Sequence, residues 1–568
     1  MEGIAGITIP KAFFDLSQEH IFTAEAGLIY PIYSELLMPG DTIEVSNQCV
    51  IRQQPTISPS FTNYEVKFWD FAVAIRNLDK DFYRFLSGFA EYTSEVAWDK
   101  PLPKWKPSHI DKTRIGSLWD FLENPVNCIP TDEFCQLDYF RQAYGYIYDI
   151  YFRNETRQKS ILNKLEEPGS WKGEDLLRVN YDKDYFTTSL PKQSLGTQQA
   201  IPISGLTSAK WKVNELKTYE EPMDGIDALI GKDAIDANTF LKAKVQDTTT
   251  GANEIAEQIL NKNTVDLKNS ASVLLKDLTN MLAMEALSTI NAIAGIRTDE
   301  FLDANWGESP SSEVLQYPIP FGRDVMNIIT SEVLQTANNT NERDGVGDMY
   351  GHGLGVGESA SNRFHAKEFC IYLKLMYIKA NTTYGSQGIV KSKCQNSKYD
   401  FPFPILNHLS MQPIQAAELL YAPNKKPISR DNGVTITEGE EDPTADVYNH
   451  RIIGYKPVFE EYTSKRDKVS GLFIQEQYYD ENDGKKLKTK DNLYNWTEAR
   501  FFSIEDKDRP IINNDFLQVR MDNRNYQVVD NTIERTQFLC WHKNIVNCWR
   551  SMDKQRMPTM LGVTEGLK

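Results

Sequence analysis

The chain of 568 residues lacks most of what marks a secreted scaffold, a membrane protein or an enzyme pocket. Its seven cysteines are odd in number, widely spaced and form no CxxC pair, so neither a disulfide framework nor a zinc ribbon follows from them. The start, MEGIAGITIP, has no basic segment and no long apolar core, which together with the cysteine usage leads to the expectation of reduced thiols in a cytoplasm. No run approaches the roughly 18 to 20 apolar residues that cross a bilayer, so no membrane insertion is expected. Histidine is scarce, and the one sequence-near pair, His352 and His365, is separated by a loop-like stretch unsuited to a ligand pattern. Positive charge is also short: 62 Lys and Arg face 79 Asp and Glu, a net charge of −17. That excludes a surface given over wholly to nucleic acid and leaves room only for a local basic face.

What is abundant is aromatic. Tyr (27), Phe (27) and Trp (10) favour strands and extensive protein interfaces, and the 40% hydrophobic and 25% charged fractions are those of an ordinary globular protein. Length alone suggests ~3 or 4 domains, a rule that large β folds with long insertions break.

The best-marked stretch is Phe13 to Thr42, FFDLSQEHIFTAEAGLIYPIYSELLMPGDT. Asp15 and Ser17 can bond nearby backbone, and Met38-Pro39-Gly40-Asp41-Thr42 carries the Pro and Gly of a tight turn. From Ile43 the pattern alternates, with Ile43, Val45, Cys49 and Ile51 on one face of a strand. In Tyr64 to Ile75 the apolar parity switches midway, predicting a bulge or burial on both faces. Asn77 or Asp79 then caps a short helix bearing Phe82, Phe85, Leu86 and Phe89. Phe140, Tyr144, Ile147 and Tyr151 predict an amphipathic helix over 137–153, and 272–296 reads as a second, Leu- and Ala-rich one. The region 211–268 turns polar and acidic, as an insertion would. Asn338 to Ser361, with six glycines, reads as a surface or interface loop, and Phe369 to Ile378 as a strand covered on both sides.

Chemical motifs are weak. GIDALIGKD at 225–233 has its glycines too far apart for a phosphate loop and Asp233 where Ser or Thr would bind magnesium. The acidic turn at 480–484 lacks the downstream Glu of a calcium loop and reads as a hairpin tip. Glu460 and Glu461, if on a strand, point to opposite faces and cannot flank one bond. The one cluster suggestive of binding is C-terminal: Arg535, His542, Lys543, Arg550, Lys554 and Arg556 interleave with Phe538, Trp541 and Trp549. Basic residues with aromatics hold single-stranded nucleic acid by phosphate contact and base stacking, and Lys543, Arg550, Lys554, Arg556, Trp541 and Trp549 are the candidates; a solvated or interface-buried tail is the plainer alternative.

Phe14, Asp15, Ser17, His20, Thr23, Gly27, Leu28, Pro31, Glu35 and Pro39 to Thr42 resemble the beginning of the major capsid proteins of Microviridae, the small single-stranded DNA phages, especially gokushovirus-like and alpavirus-like members. Similar blocks recur in order: Arg153-Asn154-Glu155, DYFTTSLP at 184–191, EVLQT at 332–336, His408-Leu409 with Glu418-Leu419, and Gly454-Tyr455 leading to Glu461-Tyr462 and Lys465. Lys456 and Pro457 depart from the family pattern, and 211–268 is the least matched region.

The resemblance implies a mainly β fold with helical insertions: an antiparallel jelly-roll β-sandwich of viral capsid type with long excursions between strands. It implies an extended arm at 1–42 reaching a neighbour or lining the interior, and a single domain at 43–568. That domain carries excursions at 76–324, the variable surface insertion at 211–268, a Gly-rich loop at 338–361, an acidic loop at 422–449 and a basic, aromatic tail at 535–568. The implied partners are other copies of the chain, in an icosahedral shell of ~60, packaged single-stranded DNA, a small basic packaging protein, scaffolding and pilot proteins, and a host surface receptor or glycan. The implied place is the virion, after assembly in the host cytoplasm. No catalytic residue, cofactor or metal is implied. A rival from another class is a glycan-binding or glycoside-cleaving β-sandwich, which would show a cleft with two carboxylates from separate strands beside exposed Trp.

Overall fold

In a computed structural model, the described residues lie mainly within 11–87, 102–162, 173–193, 275–334, 349–422, 447–502, 512–520 and 537–552, with short interruptions and a few isolated strand segments elsewhere. By contacts the chain divides into Met1–Gln193 with Asn291–Lys568, and Ser194–Ile290.

The first unit is organised by one ten-stranded antiparallel sheet. Its strands are β1 (Ala12–Asp15), β2 (Gln18–Ala24), β3 (Tyr30–Leu37), β4 (Thr42–Thr56), β5 (Tyr64–Ala74), β6 (Ile319–Leu334), β7 (Met349–Glu358), β8 (Asn362–His365), β9 (Cys370–Ala380) and β10 (Phe538–Arg550). The order is β1-β10-β4-β7-β6-β5-β9-β3, with β2 also on β10 and β8 also on β4. The 16-residue β6 pairs with β5 through Ile319 to Ile328 and with β7 through Ile329 to Leu334. One strand thus turns the corner of the sheet. The two ends of the sheet approach: Phe22 of β2 lies against Tyr30 of β3, and a ring nitrogen of His20 sits 3.2 Å from the Ile32 carbonyl.

The curled sheet encloses two apolar clusters. Phe22, Ile51, Tyr64, Val66, Phe68, Met376, Ile378, Phe538 and Cys540 fill one. Leu37, Ile43, Val45, Ala74, Tyr372, Val546 and Cys548 belong to the other. Between them the same inward faces present a polar belt: Asn47, Asp70, Lys374, His542 and Asn544, all buried, together with Asp324. A third cluster lies outside the sheet, where Phe71, Val73, Ile371, Leu373 and Leu375 meet the helical excursion. Helix α1 (Tyr139–Ile147) supplies Tyr139, Ala143 and Tyr144, and its path continues as a π-helical turn, Tyr148–Phe152. Tyr144 donates its hydroxyl proton to the Ile29 carbonyl at 2.9 Å and so ties this layer to β3. The parity switch in β5 has both expected causes: even positions face the barrel interior, odd ones the helices, and the register with β6 slips between Asp70 and Phe71.

The turn at 38–42 forms as its residues require. The Asp41 N–H reaches the Met38 carbonyl at 3.0 Å, with Pro39 preceding Gly40 at φ +91°. Three other expectations change. Residues 12–37, expected as an arm, are extended, yet they pair with β10 and β9 of their own chain; residues 1–10 lie outside the described region. The 535–568 tail contains the 13-residue β10, sandwiched between β4 and β1/β2. The Gly-rich loop contains β7, because the run Gly351-x-Gly353-x-Gly355-x-Gly357 has the period of a strand, with the glycines packed and Leu354 and Val356 outward. A Cβ at Gly351 would stand 2.0 Å from Thr56 Oγ1, at Gly353 2.4 Å from Gln53 Oε1, and at Gly357 2.5 Å from Met326 Sδ. Only glycine lets β7 lie this close.

In the second unit, taken by itself, the described residues include the pair Ser208–Lys210 with Thr264–Asp266. They also include most of a helix, α2 (Leu275–Ala294), on which Leu282, Met284, Leu287 and Ile290 are exposed. The expected insertion at 211–268 lies largely outside the described residues, as do the phosphate-loop-like 225–233 and the turn at 480–484. The strands flanking that turn, Gln477–Tyr479 and Leu487–Thr489, do pair antiparallel.

The glycine strand yields a graded test. Gly351→Ala meets Thr56 Oγ1 and the Ser58 carbonyl at 2.9 Å, whereas Gly355→Ala meets nothing closer than 3.1 Å. Thermal unfolding should show Gly351→Ala destabilised by about 1–3 kcal/mol and Gly355→Ala by clearly less.

Candidate assembly face and the C-terminal strand

Strand β10 places the sequence-predicted binding residues. Alternation puts Leu539, Trp541, Lys543, Ile545, Asn547 and Trp549 on its outer face and His542, Asn544, Val546 and Cys548 on its inner one. Trp541, Lys543 and Trp549 therefore share a face. Lys543 pairs with Glu19 of β2 at 3.2 Å, both half exposed, and Trp549 packs edge-on against Phe13 at 5.7 Å. Arg550 turns away. Its Nε donates to buried Asp41 at 2.8 Å, and its Nη2 donates to the Leu36 carbonyl at 3.0 Å and to Glu35 at 3.5 Å. Burial nonetheless holds the Glu35 carboxyl above the usual carboxylate range. Arg550 thus clamps the 38–42 turn onto β10. Lys554 and Arg556 lie outside the described residues.

The outer face continues across neighbouring strands. One cross-strand row runs Ile21, Trp541, Val50, Val356; the next runs Thr23, Leu539, Arg52, Leu354, Ile329. Ile21 is 79% exposed, Ile329 75% and Val356 67%, where side chains of a satisfied monomer surface would be polar. Val325 and Val333 extend the patch along β6. The opposite part of the sheet is covered by the chain's own helices; among the described residues nothing covers this part. A contiguous apolar face of this kind marks an interaction surface. The contribution of β6 and β7 was hidden in the sequence by the glycines, although Leu354 and Val356 alternating with them is a strand signal.

Acidic groups that could suggest catalysis are engaged structurally. Glu460 and Glu461 open a short helical turn (Glu460–Thr463) and do not sit on a strand. Glu460 lies 3.7 Å from Lys456, and Glu461 accepts from Gln412. A cleft of about 320 Å³ is lined by Arg153, Glu155, Asp182, Arg297 and Glu300. In it Glu155 accepts the Arg297 N–H at 3.0 Å, Glu300 sits 3.8 Å from the Arg297 guanidinium, and Asp182 pairs with Lys379.

A family model described as capsid protein (F protein) matches residues 3–559. The chain belongs to this phage capsid protein family. Relatives include capsid protein VP1 of Chlamydia phage 1, 23% identical over 531 residues, covering 82% of this chain and 85% of that protein. Capsid protein VP1 of Spiroplasma virus 4 is 23% identical over 458 residues (76% and 79% covered), and that of Bdellovibrio phage phiMH2K 21% over 506 residues (86% and 84%). The ordered blocks read from the sequence thus identify a Microviridae-type capsid protein with a major capsid role. The glycan-active alternative has no support from these relatives. The capsid protein's mostly antiparallel, curled β architecture fits a viral capsid β-sandwich, and no helix among its described residues is long and apolar enough to cross a membrane.

Two outcomes follow from this geometry. Arg550→Ala leaves the Asp41 carboxylate buried without its partner and should lower stability by about 3–5 kcal/mol. Lys543→Ala, removing a half-exposed pair, should change it by less than about 1 kcal/mol; denaturant titration separates them. The second outcome concerns acid. Burial, then the positive charge of Lys374 and His20, push His542 down to about 3 from its ordinary 6.5. On acidification below 6.5 the unfolded chain takes up a proton that the fold refuses, so stability falls until the pH nears 3. Half-buried Glu35 and Asp324 and buried Glu418, whose carboxyls are raised, act in the opposite sense at lower pH. Between pH 6.5 and about 5, His542→Asn should therefore lose a slope approaching 1.4 kcal/mol per pH unit, measured by denaturation across that range.

Proposed function

We propose that this chain forms the closed icosahedral shell of a small single-stranded DNA phage, from ~60 copies in symmetric contact, and performs no bond chemistry. The supporting observation, beside the family, is the apolar face of β2, β10, β4, β7 and β6, left uncovered among the described residues, which neighbouring subunits bury on assembly. Its charges favour protein over DNA as the occupant. Glu19, Glu44 and Glu358 balance Arg52, Arg363 and Lys543, so the face has no excess of positive charge, and the whole chain carries −17. Neutralising the packaged genome then falls to a small basic packaging protein, with Trp541 and Trp549 available for stacking where DNA touches the shell. Scaffolding and pilot proteins complete assembly in the host cytoplasm, and the insertion at 211–268 meets the host receptor or glycan.

Electron microscopy of purified protein should reveal small isometric particles; a strictly monomeric protein at high concentration would overturn the reading. The double substitution Ile329→Asp with Val356→Asp changes only exposed side chains. It should leave a folded, soluble subunit that sediments as small species and forms few particles. Particles in normal yield would turn this face toward the lumen and remove it from the assembly contact.

A further inference from the structure

The polar belt inside the barrel has no part in assembly as described above, and its bonding is incomplete. Lys374 on β9 is wholly buried. Its Nζ lies 3.0 Å from Asp70 Oδ1, an ion pair without hydrogen-bond alignment, which leaves an ammonium with three donors underused. Asp70 is otherwise served: Tyr372 donates to it at 2.8 Å and Asn362 at 3.4 Å. Across the barrel, His542 is 1% exposed and stacks on Phe68 with centroids 5.8 Å apart, yet neither ring nitrogen has a hydrogen-bond partner among the described residues. Asn544, two positions along the same inner face, is equally buried, and neither its amide oxygen nor its nitrogen makes an aligned bond, although it lies beside the Tyr372 hydroxyl. Asn47, opposite Asn544 in the register, reaches Asp324 only at 3.5 Å.

Buried polar groups are nearly always paired, with protein or with ordered water. Here the unmet donors and acceptors come from β9 and β10 into one layer between two apolar clusters. They are also complementary: an ammonium offers protons, neutral imidazole offers one proton and one lone pair, and a carboxamide offers both. Lys374 stands between the belt's two carboxyls, Asp70 and Asp324, and among the described residues no three His, Cys, Asp or Glu side chains gather as metal ligands would. Water matches all of the unmet groups, since it donates two hydrogen bonds and accepts two.

We propose that the barrel interior holds a built hydration site, in which ordered water bridges Lys374 Nζ to the ring of His542 and the side-chain amide of Asn544. The water is structural: it completes the coordination of a buried cation and fixes the tautomer of His542 from within.

A map of the assembled particle that resolves ordered solvent tests this directly. The expected result is a density peak within hydrogen-bond distance of both Lys374 Nζ and a His542 ring nitrogen; two ordered side chains with no such peak would overturn the proposal. His542→Phe gives an independent reading, because it keeps the stack on Phe68 and removes both nitrogens. A hydrated site predicts a melting temperature lower by a few degrees, since the bridge loses an anchor. A dry site predicts an unchanged or higher one, because two unsatisfied nitrogens have been removed, and that result would count against bound water.

Discussion

The pairing of the chain's two ends is the constraint on which the rest of this structure depends. Strand β10, residues 538–550, lies between β4 on one side and β1 and β2 on the other, so the last described strand holds the first two in place. Ser17 seals the junction by accepting the Val546 N–H at 3.1 Å where β1 gives way to β2. Without β10 the strands at 12–24 have no partner and β4 loses one edge. Closing contacts over some five hundred residues is entropically expensive before it is rewarded, which makes this a late, cooperative step in folding. Arg550 on Asp41 is its terminal clasp, and the burial of that pair makes the clasp intolerant of losing one member.

Legibility in the sequence followed the purity of each strand's faces. Strand β9 could be read as two-sided because all its positions are buried, and β5 because its parity switch reflects a helical layer on one side and the barrel on the other. The turn at Pro39-Gly40 was legible from local chemistry alone. What was not legible shares a cause. The polar belt places His542 and Asn544 on the inner face of β10, Asn47 on that of β4 and Asp324 on that of β6, so each alternation is interrupted where the barrel is crossed. In β10 the outer face meanwhile carries Trp541 and Trp549, and the inside-outside contrast is nearly inverted. A strand then resembles a basic, aromatic tail.

The glycine run was misleading in the opposite way. Glycine's weak intrinsic preference argues for a loop, but at every second position it only removes side chains from the packed face. The contacts that would be violated come from other strands, Met326 and Ile328 from the preceding β6 and Gln53 and Thr56 from β4, some three hundred residues away. Spacing, not propensity, carried the information. The candidate site was affected by the same error: its outer rows are completed by Leu354 and Val356 of this strand, so Trp541, Lys543 and Trp549, the three residues of the C-terminal cluster that share a face, formed only one edge of a wider one.

The two sides of the sheet divide the work of the molecule. Where β5 and β9 face outward, the chain supplies its own cover, with Tyr139, Ala143, Tyr144 and Phe152 packed on Phe71, Val73, Leu373 and Leu375. Where β10, β4, β7 and β6 face outward, no described residue supplies cover, and apolar side chains remain exposed. A protein selected to stay alone would replace Ile21, Ile329 and Val356 with charge at little cost to its own core, because none of the three contributes to the enclosed clusters. Their exposure fits the assembly contact proposed above, one made only after folding. Repeated by symmetry, one such contact is enough to build the shell that a capsid protein forms.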